Sequence, residues 1–69
     1  NYQKAIDLYL FSLSVDSSNA ASNFFHLGNM YVDGGHGISK DRKKAKTYFS
    51  KAKDKGHEWA GLYIYMNNL

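Results

Sequence analysis

Four amphipathic helices packed as antiparallel pairs, an all-α fold, are what the sequence predicts, and three observations lead there. Apolar residues recur at helical rather than strand spacing, the chain is similar to itself at a shift of about forty residues, and glycine or polar runs separate the periodic stretches. "KAIDLYLFS" (4–12) aligns with "KAKTYFSKA" (44–52), setting Ala5 on Ala45, a shift of forty. "NAASNFFHLG" (19–28) aligns with "GHEWAGLYIY" (56–65), setting Asn19 on Gly56, a shift of 37. The connection in the first copy is therefore three residues longer.

The first helix is expected over 2–14, followed by the polar connection "VDSSN". Ala21, Phe24, Phe25, Gly28 and Tyr31 form an apolar stripe that predicts the second over 20–33. "GGHGISK" then turns the chain. In the third, over 42–55, Ala45, Tyr48, Phe49 and Ala52 fall at i, i+3, i+4 and i+7. Asp41 suits its N-cap, and Gly56 suits the left-handed residue that closes it. Lys51, Lys53 and Lys55 lie where the helix dipole favours cations. The fourth, over 57–68, has two apolar sides: Ala60 and Ile64 on one, and Trp59, Leu62, Tyr63 and Met66 on the other. Gly28 inside a helix costs about 1 kcal/mol relative to alanine. With Ala45 it is predicted to mark a close crossing, where small side chains let helices approach.

With 69 residues the chain makes at most one small domain, and the absence of cysteine excludes disulfides, thiolate metal sites and cysteine nucleophiles. The net charge of +3 falls short of a dedicated nucleic-acid binder, so no nucleic acid is expected as partner. No apolar run approaches the roughly 18 residues of a membrane span. The amino terminus lacks a basic segment leading into an apolar one. The chain starts and stops inside helical patterns, as a piece of a longer array does.

Taken in order, Leu27-Gly28, Tyr31, Gly34, Gly37-Ile38, Asp41, Lys44-Ala45, Tyr48-Phe49, Ala52 and Gly56 resemble the Sel-one-like repeat. This is a relative of the tetratricopeptide repeat with a longer glycine-containing turn. The resemblance covers one full repeat over 20–56, with 1–19 similar to the second helix of a preceding repeat and 57–69 to the first helix of the next. Asn23 departs from the family's usual alanine, and Tyr65 and Asn68 stand at the positions of Gly28 and Tyr31. The resemblance implies an α-solenoid and a non-catalytic adaptor or scaffold role. Its best-known setting is the lumenal adaptor of an endoplasmic-reticulum ubiquitin ligase for misfolded proteins. Signalling, cell-wall-synthesis control and bacterial host interaction are other settings. It implies the endoplasmic-reticulum lumen or the cytoplasm without deciding between them.

The glycine cluster fails as a phosphate loop, because Ile38 and Ser39 separate Gly37 from Lys40 and no strand precedes it. It fails as a calcium loop too, offering Asp33 and Asp41 without alternating carboxylates between them. His26, His36 and His57 match no zinc spacing, so no metal and no cofactor is expected. Ser39, His36 and Asp33 could be imagined as a triad, but one short loop gives them no fixed geometry or oxyanion hole. A helical enzyme-associated domain would need polar groups converging near His36, Ser39 and Asp41.

What remains is recognition of other proteins, of further repeats of the same chain, or of a second copy. Arg42, Lys43 and Lys46 sit near a helix start, against the dipole. They mark a solvated face, a contact for an acidic protein segment, or a contact for nucleic acid or anionic lipid headgroups. Trp59, Leu62, Tyr63 and Met66 make the fourth helix apolar nearly all round, which predicts a contact through its second side.

Overall fold

A computed structural model describes residues 2–15, 19–35 and 37–69. Its described residues form four helices, α1 (Tyr2–Val15), α2 (Ala20–Asp33), α3 (Arg42–Asp54) and α4 (Ala60–Met66), with no strand beyond one isolated bridge. The second and third agree with the expected bounds to within a residue. The fourth is shorter at both ends. Each helix packs chiefly on its neighbours in sequence, α1 on α2, α2 on α3 and α3 on α4. The Cα envelope measures 32 × 29 × 14 Å. Its least dimension is about the thickness of two packed helices.

The core follows from the stripes. Leu27, Ala45, Phe49, Ala52 and Ala60 are fully buried, with Ile6 and Ala20 nearly so. Phe25 joins three elements, its ring lying 5.6 Å from Phe49, 4.7 Å from Tyr63 and 4.1 Å from the His57 imidazole. The α2/α3 seam is closed further out by Tyr48, whose ring lies 5.7 Å from Tyr31 and 6.1 Å from Phe24. The ammonium groups of Lys44 and Lys51 sit over the Tyr31 and Phe24 rings at 5.2 and 5.6 Å, within reach of the ring quadrupole.

The close crossing is present, with a different residue seated in it. A methyl at Gly28 would lie 2.7 Å from ring carbons of Phe49, one turn beyond Ala45 on α3. Ala45 is buried as expected, but the ring that needs the glycine is that of Phe49.

The glycine cluster is a turn. Gly34 has φ +67° and ψ −168°, and its N–H donates to the Met30 carbonyl at 2.8 Å. Gly35 and Ile38 exchange backbone hydrogen bonds of 2.8 and 3.1 Å, and the Asp41 N–H returns to the Tyr31 carbonyl at 2.9 Å. Asp41 is the N-cap, its carboxylate accepting from the Lys44 N–H at 3.0 Å. His36, with the triad read through it, and residues 16–18 of the first connection lie outside the described residues.

Helix α3 ends in a Schellman motif. Gly56, at φ +96°, donates to the Lys53 carbonyl at 2.9 Å, and His57 donates to that of Ala52 at 3.0 Å. His57 Nδ1 then accepts from the Trp59 N–H at 3.3 Å, so 57–59 form a turn and α4 begins at Ala60. The same closure recurs at the end of α4. Asn68, at φ +60°, donates to the Tyr65 carbonyl at 3.1 Å, and Leu69 donates to that of Ile64 at 3.0 Å.

Candidate interaction surface

Helix α4 is only seven residues long, too short to persist without tertiary contacts. Three contacts hold it. Ala60 is buried, Tyr63 turns its ring into the space between Phe25 and Phe49, and the Arg42 guanidinium donates to the Asn67 and Asn68 carbonyls at 2.8 and 2.6 Å. Those carbonyls sit at the negative end of the helix dipole. Arg42 opposes the dipole of its own helix while capping that of its neighbour.

With Ala60, Tyr63, Ile64 and Asn67 turned inward to varying depth, the opposite side of α4 is left apolar and solvated. Trp59 is 55% exposed, Leu62 53%, Met66 67% and Tyr65 82%. Thus three of the four residues expected on this side share it, while Tyr63, half-buried, turns its ring against those of Phe25 and Phe49. Tyr65 is the largest addition, and its signal was its replacement of a glycine in the aligned copy, Gly28.

Two shallow clefts flank this side. One, of about 610 Å³, lies over Ala21, Phe25 and the 56–59 turn. The other, of about 630 Å³, runs along α4 beside Gly61, Ile64, Tyr65, Met66, Asn68 and Leu69. No group of three His, Asp or Glu side chains able to hold a metal ion is found among the described residues. Nor is any described helix long and apolar enough to cross a membrane.

The basic residues divide. Arg42 and Lys46, at i and i+4, share one side of α3, and both are exposed. Lys43 is exposed as well, about 100° round the helix from Arg42. Lys53, which the sequence reading assigned only to the helix dipole, reaches α4. Its side-chain carbons pass 3.5 and 3.6 Å from where a Gly61 methyl would stand.

Comparison with protein-family models, with curated proteins and with solved structures returns no match.

Proposed function

We propose that the chain is a non-catalytic protein–protein interaction module, a short stretch of an α-solenoid of the Sel-one-like kind. The observation that carries this reading is the outer side of α4. Trp59, Leu62, Tyr65 and Met66 expose between half and four-fifths of their surface on one side of a two-turn helix. At about 150–250 Å² for a large side chain, they present roughly 500 Å² of mostly apolar surface. A patch of that size on a small soluble domain is the usual mark of a contact site. Trp and Tyr are also the residue types most enriched at interface hot spots. The successive packing of α1 to α4, and the internal similarity at shifts of 40 and 37, support the solenoid reading.

Affinity capture with the chain and with a variant carrying Leu62→Glu and Met66→Glu tests the reading. Both residues are more than half exposed, so the variant keeps its helical circular dichroism. It should lose proteins that the parent retains. Identical captured sets from the two would refute the interaction reading of α4.

A further inference from the structure

We propose that the outer side of α4 docks an acidic amphipathic helix of a separate protein. The apolar stripe of that helix would lie on Leu62, Tyr65 and Met66, and its carboxylates against Lys46 and Lys53. This rests on α4 being the interaction surface, and it specifies the chemistry of the partner.

Charge complementarity carries the choice. Arg42 reaches the carbonyls at the end of α4, and the Lys53 side chain passes over Gly61 at its beginning, so α3 runs antiparallel alongside it. Lys46 stands between them on the same side of α3, four residues after Arg42 and seven before Lys53. One border of the apolar surface is thus a cationic row over its full length. Residues 60–69 contain no Asp or Glu to neutralise it. An apolar stripe edged by cations is complemented by an apolar stripe edged by carboxylates.

The occupant is a helix for a backbone reason. The outer side of α4 presents side chains, and its own N–H and C=O groups are used within the helix and its cap. An extended segment laid there would bury unpaired backbone groups, whereas a helix satisfies its own. A second copy fits less well. Roughly 500 Å² per partner is short of the roughly 800 Å² of a standard stable interface. Antiparallel pairing of α4 with α4 would also bring two cationic rows to one seam.

The test uses a labelled synthetic peptide with Leu at i, i+3, i+4 and i+7 and Glu flanking the stripe, alongside a twin with Lys for every Glu. Each is titrated into the chain at low salt and followed by anisotropy. The Glu peptide should bind about tenfold or more tightly than the Lys peptide. Lys46→Glu combined with Lys53→Glu should reverse that order, and the milder Lys46→Gln with Lys53→Gln should abolish it, both with circular dichroism unchanged. Equal binding of the two peptides would overturn the acidic partner while leaving α4 as an apolar docking surface. Absence of binding by either peptide would overturn the proposal, and the capture experiment then decides separately whether α4 is an interface. Tighter binding to phosphatidylserine vesicles than to the Glu peptide would overturn it in favour of a membrane surface. Dimerisation in sedimentation, lost on Leu62→Glu, would overturn it in favour of a second copy.

Discussion

Replacing Gly28 by alanine sets two effects of known sign against each other. Inside a helix alanine is favoured over glycine by about 1 kcal/mol, so an exposed glycine at the same place would gain stability on substitution. Here the new methyl would stand 2.7 Å from two carbons of the Phe49 ring and 2.9 Å from a third. Ordinary contact begins near 3.4 Å, so the ring must retreat by more than half an ångström. It has little room, being fully buried with the rings of Phe25 and Tyr63 at 5.6 and 5.8 Å. Overpacking of this kind costs about 1–3 kcal/mol, so the net change is a loss of up to about 2 kcal/mol. Against the roughly 3–10 kcal/mol expected of a domain this size, the loss is readily measured. Urea unfolding followed by circular dichroism should give a lower midpoint for Gly28→Ala than for the parent.

The decisive comparison repeats Gly28→Ala in a Phe49→Leu background. Leucine removes the aromatic carbons that the methyl meets, so there the substitution should become neutral or stabilising by up to about 1 kcal/mol. Equal shifts in both backgrounds would refute the argument, since the glycine would then be tolerated rather than required.

Removing the N-cap carboxylate with Asp41→Ala should cost about 0.5–2 kcal/mol, and Asp41→Asn much less, both read from urea midpoints. Gly34→Ala should cost more than Gly56→Ala. Both glycines have positive φ, but a methyl at Gly34 would also meet the Lys40 backbone nitrogen at 2.7 Å, while nothing lies within 4 Å of one at Gly56. Thermal midpoints in the reverse order would contradict this. Arg42→Ala should fray α4 by uncapping the Asn67 and Asn68 carbonyls, with faster amide exchange at residues 63–66 and unchanged protection in α2.

The helices and their caps were legible because their signals are local. Asp41 starts α3 through its capping carboxylate and Gly56 ends it through its left-handed backbone, both local signals, and the inward stripe of α3 needs only helical spacing. What spacing misjudged depends on where a neighbouring helix lies. Tyr63 was grouped with Trp59, Leu62 and Met66, yet it stands at the edge of that arc, and the Phe25 and Phe49 rings draw it inward. Periodicity starts α4 at 57, but the helix begins at Ala60, because the His57 imidazole accepts the Trp59 N–H, a bond no periodicity announces. Arg42 looked like a cation misplaced at a helix start until the carbonyls of Asn67 and Asn68, 25 and 26 residues on, came beside it.

The aligned copies also constrain what can cover α4. Both α2 and α4 rest on α3, and at the shift of 37 Phe24 and Gly28 become Gly61 and Tyr65. The small residue has moved back by four positions, one helical turn or about 5.4 Å. On α2 the glycine receives the ring of Phe49. A helix laid on α4 in the same manner would drive its equivalent side chain into Tyr65, which is 82% exposed and therefore already occupies that space. A covering helix must therefore meet Tyr65 in a register different from the one in which α3 meets Gly28. The α2/α3 seam is consequently not a template for the contact at α4. Its occupant reads a surface on which the aromatic side chain belongs to the receiving helix rather than to the incoming one.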